Sequence, residues 1–319
     1  MKVAAGFILG ASLVLSPALA RAEWPEKPIT LVVPYAAGGY TDAVGRITAR
    51  FMETALKQTV VVENRAGGGG IVGSDLVSKS KPDGYTLCMC SVGAISIAPI
   101  AQKTEYDPVK SFSPISIVST IPQTVIVNPS LPIKSMDELV TYAREHPGEL
   151  NFGSSGAGGL MFFSVALFQS LTNTEMVHVP FGGGAPATAA VVAGEVDLSF
   201  TNMTDALPQM EANNVRALAV TSAERSPFAA DLPTVSETVA KGYNVESWNA
   251  VMAPAGTPDE IVQKVSSVLQ EMAKDKDVVA AMANIGAQTV FTKPEEFSQR
   301  IAGEVAQWDK LLTEIGVKK

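Results

Sequence analysis

Small residues and hydroxyls gather at four places along this 319-residue chain. They are Ala36-Ala37-Gly38-Gly39 ahead of Asp42, Gly67 to Gly70, Gly153-Ser154-Ser155-Gly156 with Gly158-Gly159, and Gly182-Gly183-Gly184. Such clusters let a ligand approach the backbone, and where they open helices their free N–H groups favour negative charge. Anion binding is the chemistry they suggest, because each catalytic motif they approach lacks a required residue. Gly68-x-Gly70-x-x-Gly73 has dinucleotide-fingerprint spacing, yet Arg65-Ala66-Gly67 intervenes after the strand and no acidic residue closes the next one. The same stretch has P-loop spacing, but Ser74 stands where the phosphate-binding Lys would be. Ser155 lies in Gly153-Ser154-Ser155-Gly156-Ala157, where Ala157 breaks the G-x-S-x-G pattern of a nucleophile elbow, and neither histidine has an obvious route to it.

Two histidines, His146 and His178, are too few for a His-rich metal site. His146 precedes Pro147 at a helix end and is expected at the surface, whereas His178 lies in the strand leading to Phe181, where a structural hydrogen bond is expected. Asp42 reads as the N-cap of the helix that follows, and in that position it would also fix the Tyr35 to Thr41 loop so that its amides face a ligand. Cys88 and Cys90 stand at i and i+2, which on an extended strand places them on one face about 7 Å apart, beyond easy disulfide reach. Two buried free thiols are therefore expected. Zinc or redox chemistry would need C-x-x-C spacing or a nearby His.

The composition narrows the function classes. With 24 Lys plus Arg against 32 Asp plus Glu, the net charge is −8, so there is no basic footprint for nucleic acid. At the N-terminus Lys2 precedes an apolar run, Val3 to Leu15, and small residues follow at Ala18, Ala20 and Ala22. This is the pattern of a secretory signal peptide, residues 1–22, cleaved near Ala20 or Ala22. The run is shorter than the roughly 20 residues of a membrane span, so an exported soluble protein is expected.

After that segment, strand and helix signals alternate. Ile29 to Pro34, Val60 to Val62 and Tyr85 to Met89 read as strands, separated by helices over Asp42 to Lys57 and Ile71 to Lys79. Strands at Thr124 to Val127, Asn151 to Gly153, Glu175 to Val179, Asp197 to Phe200 and Ala217 to Thr221 alternate with helices at Ser135 to Glu145, Leu160 to Leu171 and Pro186 to Ala193. Val245 to Ala253 is extended, and three helices finish the chain: Pro258 to Lys274, Asp277 to Asn284 and Glu295 to Thr313. The alternation predicts an α/β fold with largely parallel sheets and helices on both faces. In such sheets ligands bind beyond the carboxyl ends of the strands. Four glycine-rich junctions, two from each half, therefore imply one cleft between two lobes.

The ordered set Val33-Pro34-Tyr35-Ala36-Ala37-Gly38-Gly39-Tyr40-Thr41-Asp42, Glu63-Asn64-Arg65, Pro82-Asp83-Gly84-Tyr85-Thr86-Leu87, Tyr106-Asp107-Pro108 and Val179-Pro180-Phe181 resembles the Bug family. These are periplasmic solute-binding proteins of tripartite tricarboxylate transporters. The likeness continues through Arg216-Ala217-Leu218-Ala219-Val220-Thr221, Leu232-Pro233-Thr234-Val235, Ser247-Trp248 and Ala253-Pro254-Ala255-Gly256-Thr257-Pro258. It implies a two-lobed periplasmic binding fold, type II-like, closing over an organic carboxylate without metal or cofactor. Lobe 1 would comprise 23–123 and 247–319, and lobe 2 124–246. The implied ligand-binding residues are Tyr35, Gly38, Gly39, Thr41 and Asp42 of one loop, Ser154, Ser155, Gly156 and Ala157 of a matching loop that runs to Gly158, and Ser91, Phe181 and Gly182. The implied partners are membrane permease subunits, with the receptor itself a monomer.

Ile71, Ile95, Met161 and Phe162 stand where relatives often carry more polar residues; Met and Phe at helical spacing are expected to face the core, but any of the four that face the cleft would favour a carboxylate with an apolar or aromatic body over citrate. Asp205 is a further candidate, able to accept from a ligand hydroxyl or amine, or to serve as a helix cap. A ligand-sensing subunit of the same fold, and a periplasmic hydrolase using Ser154 or Ser155, are the competing function classes.

Overall fold

The apolar, β-branched run Ile29–Val33 forms the centre of a parallel triplet of strands. The computed structural model describes residues 24–157 and 159–314; the expected signal peptide and Gly158 lie outside them. In chain order the elements are β1 (Ile29–Val33), α1 (Tyr40–Leu56), β2 (Val60–Asn64), α2 (Ile71–Ser78), β3 (Thr86–Ser91), α3 (Ala98–Ala101), β4 (Phe112–Val127), α4 (Met136–Glu145), β5 (Asn151–Ser154), α5 (Leu160–Thr172) and β6 (Val177–Pro180). There follow α6 (Gly184–Ala193), β7 (Leu198–Asn202), α7 (Met203–Glu211), β8 (Arg216–Val220), α8 (Val235–Thr238), β9 (Glu246–Pro254), α9 (Asp259–Met272), α10 (Lys276–Asn284), β10 (Gln288–Thr289) and α11 (Pro294–Glu314).

The strands run in the order β2-β1-β3-β9-β4-β7-β5-β6, with β8 and β10 also pairing with β4. Two parallel triplets, β2-β1-β3 and β7-β5-β6, are as the βαβ pattern requires. Between them β4 and β9 run antiparallel to their neighbours, so each sheet is mixed rather than mainly parallel. The 16-residue β4 was legible only from Thr124 onward, because Pro114 and Pro122 interrupt its apolar run. Pro114 sits at a register shift in the pairing with β9, and Pro122 where the strand changes partner: it is the last residue paired with β9, and Gln123 the first paired with β7.

One apolar cluster sits between the first triplet and α1, α9 and α10, around Leu31, Val44, Met52, Leu87 and Val265. A second runs from β3 through Ile95 to Phe152, Phe163 and Phe168 of the other triplet. The C-terminal helix α11 is anchored on it by the edge-on pair Trp248–Phe297, and Glu304 accepts from Trp248 Nε1 at 3.0 Å and from Ser96 Oγ at 2.9 Å.

Cys88 and Cys90 form a disulfide, which corrects the expectation of two free thiols. Both side chains are fully buried on one face of β3, as the i, i+2 spacing requires. The error lay in assuming full extension. The Cα atoms are 5.2 Å apart, inside the range a disulfide spans.

Candidate ligand-binding cleft

The loop from β1 into α1 is built by three side chains acting on backbone. Gly39 is the N-cap, with extended backbone, and no side chain caps the helix. Asp42, expected as the cap, instead lies in the first turn and reaches back: its Oδ2 accepts from the Gly38 N–H at 2.9 Å and from Arg46 Nε at 2.9 Å. Its Oδ1 accepts from Asn64 Nδ2 at 3.0 Å, and the same amide nitrogen donates to the Tyr35 carbonyl at 3.0 Å. Asp42 thus ties β2 to the loop, as the loop-fixing expectation requires. Gly38, with φ of +88°, supplies the left-handed turn this needs. Burial alone would raise the Asp42 carboxyl, but the bonds from Arg46, Gly38 and Asn64 outweigh it and hold the group below its usual range.

Asp42→Ala would leave the Gly38 N–H without its acceptor and the Asn64 amide nitrogen with only the Tyr35 carbonyl. We expect a stability loss of about 1–2 kcal/mol in urea denaturation and an affinity loss of about tenfold. Unchanged affinity would reject the role of Asp42 in shaping the loop.

Tyr35 joins this loop to two others. Its hydroxyl donates to the Gly69 carbonyl at 2.7 Å and lies 2.8 Å from Ser91 Oγ, so with its single proton engaged it accepts from the serine. Burial pushes the phenol up to about 12, so it is neutral at physiological pH. Gly70 leaves room for this contact, since a Cβ there would stand 2.7 Å from the Tyr35 oxygen.

The facing wall comes from the second triplet. Ser154 Oγ lies 2.6 Å from His178 Nε2 and accepts from the Gly156 N–H at 3.1 Å. A Ser–His pair therefore exists after all, through Ser154 rather than Ser155. It has a structural setting: Ser154 is completely buried, is not among the residues lining the cleft, and His178 is enclosed by Phe152 and Phe162. Burial lowers the His178 pKa, so the ring is held neutral in the fold. A depressed folded pKa gives stability that is present above the ordinary value near 6.5 and is lost as pH falls through the folded one. His178→Gln should therefore show a shallower loss of stability than wild type between about pH 7.5 and 5 in denaturation curves. Identical pH slopes would contradict the half-buried, neutral ring.

The two walls touch. The Ala36 N–H donates to the Gly182 carbonyl at 3.1 Å, and a Cβ on Gly156, whose φ is +107°, would stand 2.8 Å from the Gly69 nitrogen. Between these contacts the walls leave a partly open cavity of about 30 Å³. Tyr35, Gly39 and Thr41 line it from the first loop, Ser91 from β3, and Ser155, Leu160, Met161 and Gly184 from the facing side. Asn202 and Asp205 reach it from the start of α7, Gln123 and Ser247 from the crossing strands. No Lys or Arg lines it among the described residues.

Of the residues named from sequence, Tyr35, Gly39, Thr41, Ser91, Ser155 and Asp205 meet in this cavity. Gly38, Asp42, Ser154, Gly156 and Gly182 support it from behind or close it. Phe181 packs on the core beside Val191, and Ala157 lines a separate depression with Phe162. Among the four apolar departures only Met161 lines the cavity; Ile95 is core, Ile71 packs half-buried against that core, and Phe162 lies against His178. Asp205 is no exposed cap: it is 7% exposed and sits in the first turn of α7. Gln123 and Asn202 escaped notice. The one sign of Gln123 was a polar residue inside an apolar strand, while α7 was hidden by Pro208 and a junction without glycine.

The profile of the tripartite tricarboxylate transporter family receptor matches residues 44–317. The periplasmic binding protein BugD has a similar structure, with 34% identity, 93% of this chain and 100% of that one covered, and a TM-score of 0.89. A protein of R. palustris solved with adipate is 33% identical over 93% of this chain and 99% of its own, with a TM-score of 0.90. MatC from Rhodopseudomonas palustris, solved with bound malate, is 30% identical over 91% of this chain and 100% of its own, with a TM-score of 0.86. The chain shares the two-lobed fold of these relatives. The chain belongs to the tripartite tricarboxylate transporter receptor family, as a solute-binding protein of the Bug type.

Proposed function

We propose that this receptor captures one short organic carboxylate in the cavity between the Tyr35–Asp42 loop and the Ser155–Gly184 wall. The closed form would then be read by the permease subunits of a tripartite transporter. What carries the reading is a cavity between the walls whose polar lining is hydroxyl and amide groups with Asp205 and, among the described residues, no cation, in a fold whose relatives hold adipate and malate. Fixed neutral donors and waters can replace a carboxylate's hydration without a buried Arg. Any apolar part of the ligand would lie on Leu160 and Met161, too small a surface for a bulky aromatic body. The lobes would divide at 123/124 and 246/247, within one residue of where β4 passes from β9 to β7 and β9 begins its pairing. The protein would act in the periplasm as a monomer, after cleavage near Ala20 or Ala22, and release its ligand chemically unchanged.

A thermal-shift screen of the mature protein against carboxylates, sugars and phosphates tests this. A ligand at a hundred times its Kd adds about 2.7 kcal/mol, so a carboxylate should raise the melting temperature clearly. A shift with sugars or phosphates alone would overturn the carboxylate assignment.

A further inference from the structure

Three buried side-chain oxygens lining the cavity have no hydrogen-bond partner in the protein: Asp205 Oδ1, Asn202 Oδ1 and Gln123 Oε1. Gln123 is completely buried, and its Nε2 is unpartnered as well. Buried polar atoms in native folds are rarely left so, which marks these as ligand-facing. Three are acceptors, whereas a plain carboxylate ligand brings only acceptors of its own.

Asp205 is the group that decides. Its Oδ2 has one contact, with the Thr201 hydroxyl at 3.4 Å. Its carboxylate lies between the two walls: a Cβ on Gly39 would stand 3.6 Å from Oδ1, and one on Gly184 would stand 2.1 Å from Oδ2. Gly184 is therefore required as glycine to give this carboxylate its place. Desolvation raises the group to about 7, so its charged form lacks a partner within the protein. With no cation in the lining among the described residues, a carboxylate ligand closing beside Asp205 would either meet repulsion from its ionised form or have to hold it protonated, whereas a ligand with its own positive charge avoids both costs.

We propose that the ligand is a zwitterion, a small amino-carboxylate whose ammonium group is received by Asp205 together with Asn202 and Gln123. An ammonium offers three N–H donors, matching the three unpartnered oxygens, and its charge offsets that of Asp205. This rests on the carboxylate-receptor reading and narrows it, since neither adipate nor malate, the ligands of the related structures, carries an amine.

Matched ligands test it by calorimetric titration of the full mature chain. The probes are alanine against propionate, aspartate against malate and succinate, glutamate against glutarate, and phenylalanine against 3-phenylpropionate. In at least one set the amino member should bind more than about tenfold tighter than its unsubstituted partner, with malate between aspartate and succinate if that set is bound. In Asp205→Asn, which keeps the shape and removes the charge, that preference should collapse to within about threefold, with circular dichroism and melting confirming the fold. Tighter binding of the unsubstituted acid, or a preference that survives Asp205→Asn, overturns the zwitterion while leaving the carboxylate receptor intact. Binding of no member of any set would overturn the receptor reading and this inference together.

Discussion

Replacing Gly156 by alanine should leave a folded protein that binds its ligand about a hundredfold more weakly. Gly156 has a φ of +107°, and a Cβ there would come within 2.8 Å of the backbone nitrogen of Gly69 on the opposite wall. Two costs follow, and they are separable. The left-handed conformation costs a non-glycine residue about 1–2 kcal/mol, which lowers stability whether or not the walls meet. The clash is with backbone that Tyr35 holds through the Gly69 carbonyl, so it can be relieved only by keeping the walls apart. Because closure is what ligand binding favours, the second cost falls on affinity. Calorimetry of ligand binding, with small-angle scattering to follow closure, separates the two. Binding within threefold of wild type would mean that the Gly156–Gly69 contact plays no part in the bound state.

Gly39→Val should have an equally large effect by a different route. Gly39 has extended backbone that valine adopts without strain, so the fold should lose only the difference in N-cap preference, about 1 kcal/mol. Its Cβ would sit in ordinary contact, 3.6 Å from the Ala185 nitrogen and from Asp205 Oδ1. The two further methyls of valine would enter a cavity of about 30 Å³. Overpacking of this kind typically costs about 1–3 kcal/mol, here charged to the bound state. Gly39→Ala is the graded control and should bind within a few-fold of wild type. Equal binding by the valine and alanine variants would show that the ligand lies elsewhere.

The parts of the fold that were legible in the sequence are those governed by local pattern. The βαβ alternation, the buried apolar helix at Leu160 and the glycine-rich junctions translate directly into the two parallel triplets and the loops facing each other across the cleft. The positive φ of Gly38, Gly70 and Gly156 explains why those loops are glycine-rich. What escaped depends on long-range placement. Pro122 reads locally as a strand breaker, yet it marks where β4 passes from β9 to β7, so Gln123 and its position in the cavity were hidden. Asp42 satisfies the local rule for a cap but is drawn instead to Gly38 and Asn64. The disulfide needed a contraction of β3 that an ideal extended strand does not contain. Ser154 and His178 are 24 residues apart and meet only because β5 and β6 pair in parallel.

A crystal structure of the mature protein with the strongest ligand from the carboxylate screen would locate the bound carboxylate. It should show a shut cleft with the ligand carboxylate oxygens about 2.7–3.2 Å from donors of the Tyr35–Thr41 loop and of Ser91 or Ser155. A ligand bound outside this cavity, for instance in the groove between α1 and α10 beside Arg50 and Phe51, would contradict it.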